Sequence, residues 1–432
     1  MWRTGRRLYE AAMKVYMTKL PALLLPVVIL GAITSGRPAT SERSKAMRES
    51  QSPQVILAYD NTGDFGPQTP GTKTAGWQEA INYCVEHARD LYVKGGWGGR
   101  TAIYHVANTI RIPATQDFRI DGSVYVVNWI GPAEKDLLVI DSGMDCHFTF
   151  GILVYGGLGA ALRIKPENPV PIDKFAVFVD SEIRASSIAD PHPFQRGERK
   201  GGAGVVFDTT KAPIAHCDFY LTAVLNFATC IETPGAGGDF AHNRITCMHL
   251  HTNADKSTLL RLGAKSVQNT IKLGIGVDQG ATEVKGVDVF GANNALELTT
   301  RGGFPRGNDL IFEQPAAGNQ VNLIRGRKPS DPADLVTDRA AVATNQMTWT
   351  GAPAPIRTIE VSAGTFVYTQ RLYPAVVSVI GGEATALSLV RGDATVEYPP
   401  SEPHEITMSV GDQLHIASRR PARLRVIPLK VR

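Results

Sequence analysis

Three stretches, His216-Cys217-Asp218-Phe219-Tyr220-Leu221, His242-Asn243-Arg244-Ile245-Thr246-Cys247 and Gln268-Asn269-Thr270-Ile271-Lys272-Leu273, fall on one another at a constant shift of 26 residues, 216 to 242 to 268. Within each, apolar and polar side chains alternate. Phe219, Ile245 and Ile271 make one column, and Leu221, Cys247 and Leu273 the next. Alternation of period two marks a strand with one buried face. A slip of one residue would turn the whole apolar set outward, so a shift that preserves both columns means parallel strands stacked in register. A repeat of this length belongs to a solenoid, where each coil buries its apolar face against its neighbours.

A second strand type recurs between these: Leu162-Arg163-Ile164, Val205-Val206-Phe207, Ile231-Glu232-Thr233, Leu260-Arg261-Leu262 and Leu296-Glu297-Leu298. Its spacing is irregular. Loops that leave a coil can vary in length while the strands keep a stacking distance of roughly 4.8 Å. A β-sandwich would also supply many short strands, but not a parallel stack with a fixed shift. Composition agrees, with 42 Gly and 27 Pro among 432 residues and no long Leu/Ala/Glu/Lys-rich run. That length suits one long repetitive body or two domains.

The body begins near residue 54, with a strand at Val55-Ile56-Leu57-Ala58-Tyr59 and a turn cluster at Asp60-Asn61-Thr62-Gly63-Asp64. Apolar Trp77, Ala80, Ile81, Cys84, Val85, Ala88 and Leu91 at three- and four-residue steps predict an amphipathic helix over about 74–92. Lys94-Gly95-Gly96-Trp97-Gly98-Gly99 stops it, and a strand resumes from Ile103 to Ile112. This order, from "Ala58-Tyr59-Asp60-x-Thr62-Gly63-Asp64" through the helix to "Ile103-Tyr104-His105-Val106", resembles the N-terminal part of pectate lyase-superfamily proteins. The resemblance implies a right-handed parallel β-helix, here 54–328, with the helix capping its open end. It also implies a polysaccharide as partner.

Residues 329–355 lose the pattern among Pro329, Pro332, Pro353 and Pro355 and are expected to be a linker. A small β-sandwich module should follow over 356–432, with turns at Gly381-Gly382 and Gly411-Asp412. The run from Ser378-Val379-Ile380 to Gln413-Leu414-His415-Ile416 resembles modules appended to tailspike-like β-helix proteins, which implies a homo-oligomer, as a trimer. At the other end, Arg3, Arg6, Arg7, Lys14 and Lys19 against Glu10 account for the whole net charge of +4. They precede the apolar run Leu20 to Thr34, so 1–36 reads as a secretory signal and 37–53 as a polar spacer. The chain is expected to be secreted, periplasmic or at the cell surface, and membrane-bound only if the signal stays uncleaved. With the remainder electrically neutral, nucleic acid is not an expected partner. The five cysteines are an odd number spread through a large domain, so at least one is unpaired, and packing is their expected role.

Outward residues of stacked strands form columns suited to a long polymer. The first column holds Asp218, Arg244 and Thr270, flanked by Tyr220, Thr246 and Lys272 and preceded by His216 and His242. Asp218 and Arg244 are the candidate catalytic pair. Tyr220 is a candidate platform for a sugar ring, and Lys272, His216 and His242 candidate substrate contacts. The same pair also reads as one rung of a surface charge ladder. A second column is expected to run Arg163, Val206, Glu232, Arg261 and Glu297, its last three members alternating in sign as a structural ladder does. Asp239, beside Gly235-Ala236-Gly237-Gly238, offers a carboxylate to a substrate hydroxyl or to Ca²⁺, and equally suits a turn. His249 and His251 share one strand face, but no third ligand accompanies them and no metal is assigned. Of the polygalacturonase motifs in the resembled family only Arg163-Ile164-Lys165 is present, too early in the chain. Catalysis is left open between a lyase, a hydrolase and a purely adhesive or structural protein.

Overall fold

The computed structural model describes residues 54–96, 101–122, 124–171, 174–192, 197–198, 201–233, 235–277, 281–300, 304, 308–325, 336–350, 356–400 and 404–429. The predicted signal and spacer lie outside them. From Val55 to Thr350 the chain winds as a right-handed parallel β-helix whose coils feed three sheets, the longest with 13 strands, the second with nine and a short third with six. In the longest sheet Asp218 pairs with Arg244 and Arg244 with Thr270, the register expected from the 26-residue shift. In the second, Leu162, Val205, Ile231 and Leu260 follow one another from coil to coil.

The corner leading from the third sheet into the longest one explains why the repeat is so regular. Asp117, Asp145, Asp180, His216, His242, Gln268 and Asn293 occupy equivalent positions there with left-handed φ between 49° and 57°. Asp, Asn and His tolerate that conformation better than most non-glycine residues. A turn this sharp interrupts the backbone ladder and leaves inward N–H and C=O groups to be satisfied. Asparagine does so. The N–H of Asn243, Asn269, Asn294 and Asn319 donates to the side-chain Oδ1 of Asn269, Asn294, Asn319 and Asn345, at 2.9–3.1 Å. Each amide Nδ2 in turn donates to a backbone carbonyl, for instance Asn269 to Phe240 and Asn294 to Ser266, both at 2.9 Å. All five asparagines are buried.

Inside the coils, Phe207, Phe219 and Phe240 pack ring against ring, with centroids 4.6 and 4.7 Å from Phe207. All five cysteines are buried and free, which accords with packing. The capping helix runs Trp77–Glu86, shorter than the expected 74–92. Ala88 takes a left-handed φ of 50°, and Leu91–Lys94 is a strand beside Val55–Ala58. Leu91, apolar and in step with the helix face, is buried in that strand instead. Trp77, Ala80, Ile81 and Cys84 close the end of the core, Trp77 lying 5.9 Å from Tyr104 and 5.6 Å from Tyr125.

The other end departs from expectation. Part of the predicted linker is a further coil: Val336–Asp338 pairs with Leu310–Phe312, and Gln346–Thr350 with Gln320–Arg325. Asn345 is the last of the corner asparagines. These strands are short and separated by Pro- and Ala-rich sequence, which concealed their alternation. Residues 329–335 and 351–355 lie outside the described ones. Two antiparallel four-stranded sheets then pack as a sandwich around Val377, Leu389, Ile406, Leu414, Ile416 and Leu424. Ala394–Tyr398, a strand not expected from the sequence, is almost wholly exposed and so shows no buried column.

Candidate functional site

The outward face of the longest sheet carries two polar columns. One runs His147, Glu182, Asp218, Arg244, Thr270, Ala295, Gln320 and Gln346. The other runs Thr149, Arg184, Tyr220, Thr246, Lys272, Glu297, Asn322 and Thr348 through the same pairings. Strand alternation sends these side chains to solvent while Ile183, Phe219, Ile245 and Ile271 point inward.

Asp218, Tyr220 and Arg244 converge. The Arg244 guanidinium lies 3.7 Å from the Asp218 carboxylate. A hydrogen bond to the Tyr220 hydroxyl, and then the charge of Asp218, hold that guanidinium above the usual arginine range. From the preceding coil, the Arg184 guanidinium stands 5.0 Å from the centre of the Tyr220 ring and is ion-paired with Glu182. The Arg184 guanidinium therefore covers one face of the ring from the preceding coil. Such a cation over an aromatic face contributes about 0.5–1 kcal/mol at an exposed site. It also takes one ring face from any sugar, so Tyr220 offers its edge and remaining face.

Lys272 pairs with Glu297 at 2.8 Å on the next coil. This corrects the expected second column, because Leu296-Glu297-Leu298 belongs to the longest sheet, beside Thr270–Val277. Its place in the second sheet is taken by Val287-Asp288-Val289, with Asp288 beside Arg261. The two sheets share one alternation, so sequence alone did not assign the segment. The rest of that column stands: Arg163, Val206, Glu232 and Arg261 are in register, with Arg261 3.7 Å from Glu232.

His216 and His242 flank the site as stacked imidazoles, 5.1 Å apart and 6° from parallel, at the left-handed corner. Asp239 lies away from it, 3.8 Å from Lys265. His249 and His251 stack at 5.3 Å, and the described residues contain no group of three or more His, Cys, Asp or Glu side chains placed to hold a metal. Sequence reasoning missed Glu182 and Arg184. They belong to the same two columns, but the loop after Ala189 lengthens their coil and breaks the 26-residue shift that exposed the others. Extending the alternating pattern with a variable gap would have found them.

No protein-family model matches the chain, and neither does any curated protein. Among solved structures it is similar to the Dettilon tailspike protein, at 8% identity and a TM-score of 0.33, covering 92% of this chain and 97% of that one. It is also similar to bacteriophage CBA120 tailspike protein 3, at 13% identity and a TM-score of 0.18, covering 83% and 70%. Both likenesses are too loose to bear on what this chain binds.

Proposed function

We propose that this protein binds a polysaccharide lengthwise along the outer face of its longest sheet. The observation that carries the reading is the pair of in-register polar columns, continuous from His147 and Thr149 to Gln346 and Thr348. At roughly 4.8 Å per rung they extend about 34 Å, the length of several sugar units. The rungs supply hydroxyls, amides and ion-paired carboxylates and guanidiniums, which can exchange hydrogen bonds with sugar hydroxyls without burying an unpaired charge. Tyr220, with Arg184 over one ring face, is the natural anchor. Asp218 and Arg244 are assigned to substrate contact, with Lys272 and His242 at the margins.

Purified protein incubated with a panel of acidic and neutral polysaccharides should retain at least one of them on affinity electrophoresis. Release of reducing ends, or absorbance from unsaturated products, would add hydrolase or lyase action to binding. Tyr220→Ala and Arg184→Ala should each weaken retention by about tenfold, as loss of a central aromatic or arginine contact does. Arg261→Ala, on the second sheet, should leave it unchanged. Retention of no glycan, or equal losses from all three substitutions, would overturn the assignment.

A further inference from the structure

We infer that the cleft where the last coil meets the sandwich is a chain-end subsite, one that takes the terminal sugar of a neutral polysaccharide. That ligand class rests on the polysaccharide reading and adds to it where the chain stops. The first polar column of the longest sheet runs through Thr270, Ala295 and Gln320 to Gln346. It has no successor. The next place in register belongs to Leu372, which is buried and joins the apolar core. At that point an open cleft of about 750 Å³ begins, with Thr344 and Gln346 of the last coil on one side and Thr369, Arg371, Arg391 and Gln413 on the other. A polymer lying along the column therefore meets the wall of the sandwich and ends in the cleft.

Thr369 and Gln413 stand opposite each other on neighbouring antiparallel strands, and alternation with the buried Leu414 turns them away from the sandwich core. The two cations of the cleft carry no surplus charge. Arg391 is held by Asp412, itself buried, with Nε at 3.0 Å and a terminal nitrogen at 2.6 Å from one carboxylate oxygen. Arg371 is held by the buried Asp338 at 3.2 Å and by the Ala340 carbonyl at 3.0 Å. Two guanidiniums against two carboxylates leave an anion nothing to neutralise, so the cleft suits a neutral ligand. Fixed in this way, each guanidinium keeps N–H donors for the lone pairs of hydroxyl groups. Around them the Gln346 and Thr369 side chains have no hydrogen-bond partner among the described residues, and the Gln413 amide meets only the His415 ring, at 3.3 Å. Amides and hydroxyls both donate and accept, as the hydroxyls of a sugar do. Val342, exposed on the coil side, adds apolar surface for the C–H face of a ring. A cleft of this size encloses about one or two sugar rings.

The test is affinity electrophoresis of the full chain with amylose, dextran and mannan as neutral glycans and polygalacturonate as the acidic one. The partial hydrolysate of each is added as competitor at equal mass, as oligomers of about eight sugar units, enough to span the roughly 24 Å from Tyr220 to Gln346. Hydrolysis multiplies chain ends without changing the sugar, so the oligomers of a retained neutral glycan should compete about tenfold or more better than the intact polymer. Thr369→Ala with Gln413→Ala should remove that advantage. Both side chains lie at the sheet surface, so the double variant should keep the wild-type melting temperature. Tyr220→Ala should weaken oligomer and polymer alike. Oligomers that compete no better than the intact polymer, or a double variant that keeps the advantage, would overturn the subsite, as would an advantage confined to polygalacturonate. In each of those cases, retention that is sensitive to Tyr220→Ala leaves the long face standing. If no glycan is retained at all, the polysaccharide reading falls and the subsite with it.

Discussion

At the scale of single residues, the corner asparagines are worth more than their small side chains suggest. Asn294 accepts the Asn269 N–H at 3.0 Å and donates to the Ser266 carbonyl at 2.9 Å, at a site water does not reach. Removing its amide leaves the Asn269 N–H buried and unpaired, at about 1–3 kcal/mol, while the Ser266 carbonyl keeps the Ala292 N–H at 3.1 Å. Asn294→Ala should therefore lower the urea midpoint by the equivalent of about 1–3 kcal/mol with the slope unchanged; a loss comparable to that of an exposed Thr246→Ala would refute the ladder's role. The thiols make a second case. Burial pushes Cys146 up to about 11 and Cys84, Cys230 and Cys247 up to about 12. Folding thus holds them protonated where the unfolded chain, near 9.0, would release the proton. A raised native pKa gives stability that is intact below the unfolded value and is lost as pH climbs through the native one. The melting temperature should hold to about pH 9 and fall steadily towards pH 12, and at pH 8 an aromatic disulfide reagent should label no cysteine until denaturant is added. Labelling of native protein would show that the coils open more readily than their packing implies.

At the scale of elements, the problem is the open edge of a parallel stack, where unpaired backbone groups invite another chain. Here the edge is closed twice. The turn after the first strand folds back, so that the Ile56 N–H donates to Asp64 at 2.8 Å and the Ala58 N–H to the Phe65 carbonyl at 2.9 Å. On the second sheet, the Gln78 side chain accepts the Arg111 N–H at 2.7 Å and donates to the Arg111 carbonyl at 2.9 Å, pairing as a strand would. Gly63 is what lets the turn lie so close, since a Cβ there would sit 2.4 Å from the Ile56 carbonyl oxygen. Gly63→Val should peel the turn from the strand, cost about 1–3 kcal/mol, and produce concentration-dependent association on light scattering. A variant that stays monodisperse at wild-type stability would show that the turn protects nothing. These devices also show what sequence could convey. The 26-residue shift revealed the coils because Phe219, Ile245 and Ile271 face one core. The asparagine corners went unnoticed because their partners lie a whole coil away. Gln78 and Asp64 looked like ordinary helix and turn residues, since what they satisfy is distant backbone. Likewise Asp218, Tyr220 and Arg244 were legible as columns, whereas the grip of Arg184 on Tyr220 was hidden by the length of one loop.

At the scale of the whole molecule, the solenoid and the sandwich are not independent. Leu372 and Tyr373, which lead into the sandwich, belong to the core of the solenoid. The Met347 N–H donates to the Leu372 carbonyl at 2.6 Å, and the Trp349 and Tyr373 rings meet at 5.3 Å. Arg371 reaches back to Asp338, itself buried, at 3.2 Å. The segment does for this end what the capping helix does for the other: it covers apolar side chains and completes the last rung. In a stack stabilised by nearest-neighbour contacts, an uncovered terminal coil is the first to fray. Ending the chain at Thr350 should therefore cost more than the loss of a separate domain. It uncovers Met347 and the last rung, so the truncated protein should melt well below the full chain and bind an apolar dye at its exposed end. Ending it after Pro374 removes the sandwich but keeps Leu372 and Tyr373, and should recover most of that loss. If both truncations melt alike, the two residues are passengers and the sandwich itself is the cap. If neither differs from the full chain, the solenoid needs no cover at this end, and the sequence after Thr350 serves only the module it builds.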